Sequence, residues 1–246
     1  MRSDAPDPSR LYRRWLHGCA LVFVLEVALS AIHPRYPSDW FLENALAVLL
    51  VVLLLATARR FPFSRLSYTL IFVFLSFHEL GAHYTYAEVP YREWFPFLAC
   101  TERNHYDRLV HFLFGFLFAY PIREVFLRIA RVRGFWAYYL PLDVAMALSM
   151  LYELVEWAAA ELFGGELGMA YLGTQGDVWD AHKDMALASL GALLAMIVTA
   201  LVNRRMGVDL GREWSESWST AQARPLGEEE LRRMAERRER SRGPQA

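Results

Sequence analysis

Lysine is almost missing from this chain: of its 26 basic residues only Lys183 is lysine. Net charge is also small, −1 over 246 residues, so bulk electrostatics gives no reason to expect a nucleic-acid partner. Cysteine is confined to Cys19 and Cys100, and neither sits in a CxxC or zinc-ribbon spacing. There is no GxSxG nucleophile elbow, which leaves covalent catalysis of the hydrolase type unsupported. No internal repeat is visible, which counts against a transporter built from inverted halves.

What the chain has in excess is apolar surface. Hydrophobic residues make up 55% and aromatic residues 15%. They fall in blocks separated by arginine-bearing turns, the pattern of a membrane protein rather than of a soluble core. The expected fold is all-α, a polytopic membrane bundle of about six transmembrane helices. The spans are read as Trp15–Ile32, Trp40–Thr57, Leu66–Tyr84, Tyr106–Ile122, Trp136–Phe163 and Asp184–Val202. The fourth is short and is expected to continue towards Arg133 with a kink near Pro121. Arg10, Arg13 and Arg14 before the first run resemble the start of a signal peptide. The run ends in Ile32-His33-Pro34-Arg35 without a small-residue cleavage site, so it reads as a retained span.

Arginine placement sets the expected orientation. Arginines cluster before the first span, between the second and third, between the fourth and fifth, and after the sixth. Both termini are therefore expected in the cytoplasm. Residues 1–14 form a cytoplasmic segment, 15–202 the membrane domain and 203–246 a charged cytoplasmic tail, whose Glu/Arg spacing near the end suits a helix with (i, i+4) pairs. Cys19 and Cys100 fall near opposite membrane faces, so no disulfide joins them.

Four apolar segments each carry a pair of ionisable side chains at helical spacing: Glu79 and His83, Asp107 and His111, Glu153 and Glu156, Asp180 and Asp184. Residues three or four apart share a helix face. A charge at a bilayer centre costs about 2.5–3.5 kcal/mol on insertion scales, so such pairs need partners. The orientation puts all four pairs in the outer half of the membrane, which points to one shared site. His78 and His83 are five apart, about 140° around a helix, and do not reproduce a zincin. Glu153 and Glu156 on one buried face repel unless they share a proton or a cation. Asn104 and Asp107 also suit a helix start, and Asp177, Asp180 and Asp184 suit the helix dipole. Lys183 balances that acidic run.

Two histidines and six carboxylates on four helices follow the logic of di-metal carboxylate bundles, without their ExxH pattern. Such a donor set suits Mn, Fe, Mg or Zn. A proton relay and a satisfied structural network use the same residues.

HELGAHYTY, NHYDRLVHFLFGF, the REV run after Pro121, YELVEW and GTQGDVWDAHKDM resemble, in that order, the YjdF-like family of bacterial inner-membrane proteins. The similarity covers roughly Arg10 to Val202. It implies a multi-pass inner-membrane protein and carries over no site residues, since that family has no established activity. Asp107 with His111-Phe112, Glu153 and Glu156, then Asp180, Asp184 and Gly191, resemble VanZ-like membrane proteins. Trp157 after Glu156 departs from the Gln often found there. That second resemblance implies cell-envelope chemistry at the outer leaflet.

The resulting expectation is a metal-dependent enzyme acting at the outer face on an envelope lipid or lipid-linked substrate. Glu156 and Asp184 take the catalytic roles; Glu79, His83, Asp107, His111, Glu153 and Asp180 are metal ligands; His78, Asp177 and Lys183 are further candidates. The alternatives are a proton- or ion-coupled transporter and a non-catalytic envelope scaffold. The bilayer is the only partner the sequence identifies.

Overall fold

A computed structural model describes residues 8–98, 102–163, 173–218 and 226–242, among which no strand occurs. Six long helices carry the fold: α1 (Pro8–Ser30), α2 (Pro37–Thr57), α3 (Arg65–Tyr84), α5 (Tyr106–Val125), α6 (Trp136–Phe163) and α7 (Asp180–Arg205). A single turn, α4 (Tyr91–Trp94), lies between α3 and α5, and α8 (Leu210–Ser217) and α9 (Leu226–Arg242) follow α7. Cys19 is a free thiol, and Cys100 lies outside the described residues.

The boundaries have local causes. Pro37 opens α2, where its missing N–H costs nothing. Ser64 caps α3 by accepting the Ser67 N–H at 3.2 Å, and Thr85 ends it in the left-handed region with its own N–H returned to the Gly81 carbonyl. Helix α5 runs through Pro121 and passes into a π-helical turn over Phe126–Ala130 that stops at Arg131, φ +55°.

Polarity is arranged inside out relative to a water-soluble domain. Leu25 on α1, Leu49 and Leu55 on α2, and Leu193 and Ile197 on α7 face outward, while Asp39, Glu43, Glu79, His111, Glu156 and Asp184 are buried. In the most apolar stretch of α2 only 17% of the residues are covered by protein. A surface of that kind requires a hydrocarbon solvent. Among the described residues, three helices are long and apolar enough to cross a membrane by length and composition: Pro37–Thr57, Tyr106–Val125 with its extension to Ala130, and Asp180–Arg205. Helices α1, α3 and α6 are of similar length, with 23, 20 and 28 residues.

Helix α5 is the hub. It packs most extensively on α7 and also meets α3 and α6, while α1 and α2 pack on α3. The α5–α7 contact is made by small residues: Gly115 and Ala119 on one helix, Ala188, Gly191, Ala192 and Ala195 on the other. A Cβ on Gly115 would overlap the Ala188 carbonyl, and one on Gly191 would overlap the Phe112 carbonyl. The backbones touch, as in small-xxx-small membrane interfaces.

At the other end of the bundle, Glu124 accepts from the Ser64 N–H and the Ser67 hydroxyl and pairs with Arg128 at 2.7 Å, tying α5 to α3. Helix α8 docks on the α5–α6 turn, where Ser217 Oγ accepts the Phe135 N–H, Trp214 meets the Phe135 ring edge-to-face and Trp218 lies tilted against it. Helix α9 has the charged pairs its sequence suggests, such as Arg232–Glu236 at 3.0 Å.

Gly115→Ala is expected to lower thermal stability of the detergent-purified protein by at least the ~1–3 kcal/mol typical of overpacking. Gly18→Ala, where a Cβ meets nothing within 4 Å, is the control expected to lose no stability. Equal melting curves for the two variants would contradict the backbone contact.

Candidate functional site

Arg108 of α5 lies against Asp180 of α7, His111 against Asp184, and Gly115 against Ala188, so α5 and α7 run parallel. Their shared beginning carries the site, and α6 completes it from the opposite direction. His111 Nε2 stands 3.6 Å from Asp107 Oδ1 and 3.5 Å from Glu153 Oε1. Asp184 closes the group: donor atoms of Asp107, His111 and Asp184 all lie within 4.8 Å of one another. Metal–donor bonds of about 2.0–2.2 Å put neighbouring donors about 3–4 Å apart, so small side-chain rotations suffice to converge on one ion.

Two buried carboxylate oxygens here, Asp184 Oδ1 and Glu153 Oε1, have no hydrogen-bond partner among the described residues. A buried acceptor without a donor bears its full desolvation cost, and more if charged. Glu156 lies within hydrogen-bonding reach of both Glu153 and Tyr152, and the Tyr152 hydroxyl donates to Glu43 Oε2 at 3.1 Å. The acidic group therefore extends from α7 through α6 to α2.

Asp180 has a different environment from Asp184, one turn away. Arg103 Nη2 and Arg108 Nη2 reach its Oδ1 at 2.5 and 3.1 Å, so its charge is already matched. Asp177 accepts from Lys183 at 2.5 Å, from Arg108 at 2.6 Å and from the Trp179 N–H at 3.1 Å. The stretch bearing Asp177 is strapped to the start of α5: the Asn104 N–H donates to Gln175 Oε1 and Gln175 Nε2 to the Asn104 carbonyl, both at 2.9 Å. Positive φ at Gly173, Gln175 and Gly176 makes this turn, and at the two glycines it carries no Cβ strain. The N-cap of α5 is His105, which makes no side-chain cap; Asn104, one residue earlier, accepts the Tyr106 N–H in a local turn, and Asp107 is left for the cluster.

The Glu79 and His83 pair turns elsewhere. Glu79 Oε2 accepts from the Ser30 hydroxyl at 2.6 Å, and His83 Nδ1 donates to the Ser30 carbonyl at 2.8 Å. Both fasten the end of α1 to α3, with Trp40 Nε1 donating to the same Ser30 hydroxyl. Glu26 joins that side too, accepting from Ser76. His78 is hydrogen-bonded to the Tyr86 hydroxyl at 2.6 Å. Three of the four pairs thus converge, and the fourth meets α1. Glu43, Tyr152, Arg103 and Arg108 belong to the site although the periodicity argument assigned them no role. The available signal for Glu43 was an acid inside an otherwise apolar span.

Long helices with lipid-suited exteriors around a buried acid–histidine centre define a helical integral membrane protein. The family described as "Predicted membrane protein (DUF2238)" matches residues 15–205, which contain every candidate residue, and the chain belongs to that family. It is 40% identical over 205 residues to the inner membrane protein YjdF of Escherichia coli (strain K12), covering 80% of this chain and 96% of that protein. The YjdF-like resemblance of the motifs is thereby established. No solved structure matches the chain.

Lys183 above all, then the Trp179 N–H and Arg108, hold the Asp177 carboxyl well below the usual carboxylate range. Its stabilising contribution is present above the unfolded value of about 3.9 and is lost as pH falls through the depressed folded value. Protection against hydrogen exchange at residues 173–179, taken relative to the intrinsic rate at each pH, is therefore expected to stay constant from neutral pH down to about pH 4 and to fall only in stronger acid. Asp177→Asn is expected to lower that protection across the neutral range; a loss in the parent already at pH 6 would contradict the pairing.

Proposed function

We propose that this protein is a membrane-embedded metal-dependent enzyme whose centre is Asp107, His111 and Asp184, with Glu153 as a further donor and Glu156 as the adjacent acid. The observation that carries this reading is the orphaned Asp184 Oδ1 in a group of three donors within 4.8 Å of one another. Asp180 is answered by guanidinium groups; Asp184, equally buried, is not, and a divalent cation supplies the missing charge. A bound cation lowers the pKa of a water ligand or polarises a phosphoryl or carbonyl oxygen. Asp180, Asp177 and Lys183 then hold the surrounding strap, and Glu79 and His83 the α1–α3 joint, instead of ligating.

Arginine distribution supports placing this end of the bundle at the outer face, with both termini cytoplasmic and six spans. Access there selects an envelope lipid or lipid-linked substrate. One observation favours ion-coupled transport instead, the chain of groups from Asp184 through Glu156 and Tyr152 to Glu43. In that reading Glu43→Gln abolishes activity and leaves metal binding unimportant.

The test is divalent-metal binding by the purified protein, measured with Mn, Fe, Mg and Zn. Asp184→Asn, nearly isosteric, is expected to weaken binding by about 100-fold or more, beyond the ~10–100-fold of an outer-shell change. Glu79→Gln is expected to bind like the parent. Absence of binding in the parent, or equal loss in both variants, would overturn the assignment.

A further inference from the structure

A cavity of about 330 Å³ lies between α2, α3, α5 and α6, and Asp107 and His111 form part of its wall. The rest is mainly hydrocarbon: Ala47 and Leu50 of α2, Phe74 of α3, Phe118 of α5, and Leu151 and Val155 of α6. Its volume is that of a small ligand site. Lining residues run along α5 from Asp107 to Phe118, about 16 Å of helix axis, and the wall over most of that length is apolar, which suits a hydrocarbon chain.

Two buried polar atoms in this wall, His78 Nε2 and Ser149 Oγ, have no hydrogen-bond partner among the described residues, and Ser149 has no other polar side-chain atom to be satisfied through. Ser149 is 1% exposed. A hydroxyl in an apolar wall is costly to leave unpaired, which calls for an acceptor on the occupant. The occupant's source is the surrounding solvent: the bundle's outward faces are apolar, so hydrocarbon chains are the molecules at highest concentration around it.

We infer that this cavity holds one hydrocarbon chain of a membrane lipid, with the oxygen-bearing end of that chain at Ser149 and the headgroup junction beside Asp107 and His111. The inference names the substrate class for the proposed metal centre and rests on that reading for its catalytic meaning. The slot itself stands on the cavity alone. It makes the site selective for a lipid entering tail-first from the bilayer, because the apolar wall and the acid–histidine group meet at the same two residues.

The probe is a phosphatidylethanolamine with a diazirine at the end of one acyl chain, in bilayers containing the full-length protein. After irradiation, peptide mass spectrometry is expected to find adducts at Leu50, Phe74 and Phe118, with a several-fold loss of those adducts in Ala47→Leu, which fills the slot. Ser149→Leu enters from the opposite wall and is expected to act alike if Ala47→Leu does not fold. Adducts at the outward-facing Leu53 and Leu55 are expected to stay constant in both. Labelling confined to Leu53 and Leu55, or cavity labelling unchanged by both substitutions, would overturn the slot. Asp184→Asn keeps the failures apart: it is expected to lose metal and retain cavity adducts. Cavity adducts in a parent that binds no metal would leave the slot and overturn the enzyme.

Discussion

The contact on which the rest depends is the meeting of two backbones, α5 and α7, at Gly115 and Gly191. Neither glycine tolerates a Cβ, since the space is filled by the carbonyls of Ala188 and Phe112. At that separation, side chains one and two turns nearer the helix starts cannot avoid one another. His111 and Asp107 are brought to Asp184, and Arg108 to Asp180. Replacing the glycines by larger residues would separate the helices and dissolve the cluster before touching any of its members. Small residues do in lipid what apolar side chains do in water, because hydrocarbon offers no hydrophobic drive between helices.

Around this contact, buried charge is answered in three ways. Guanidinium groups answer Asp180, hydroxyl and amide donors answer Glu79 and Glu124, and a phenol answers Glu43. Each satisfied group also joins two helices, so the polar interior is part of what orients the bundle. Four buried acids keep one oxygen without a hydrogen-bond partner among the described residues: Asp39, Glu79, Glu153 and Asp184. Asp39 and Glu79 each use their other oxygen on a hydroxyl, of Thr85 and Ser30, whereas Asp184 and Glu153 face His111 and Asp107 in one small volume, and that convergence is the physical basis for assigning the centre there.

The helices were largely legible from the sequence. The expected spans and the observed helices agree closely, because long apolar runs and arginine-rich turns report them directly. The convergence of α5, α6 and α7 was also legible, since acids at spacings of three and four declare a common face. The neighbour that a face meets was not. Glu79 and His83 share a face as expected, yet that face meets Ser30 at the end of α1, and periodicity carries no information about tertiary partners. Glu43 was hidden by being single, for the pairing argument has no place for a lone acid completed by Tyr152 from another helix. Arg103 and Arg108 lie outside the arginine clusters that mark orientation, and nothing in their spacing singles them out. Their role depends on a strap built by Gln175 and two glycines, which brings residues about 70 positions apart in the chain together.

The central claim is that one cation is shared by His111 and two carboxylates on parallel helices. Electron–nuclear double resonance on the protein loaded with Mn(II) tests it directly. The account predicts a single histidine-nitrogen coupling to the metal that disappears in His111→Gln while the fold is retained. A spectrum showing only water ligands, or a nitrogen coupling that survives His111→Gln, would contradict it.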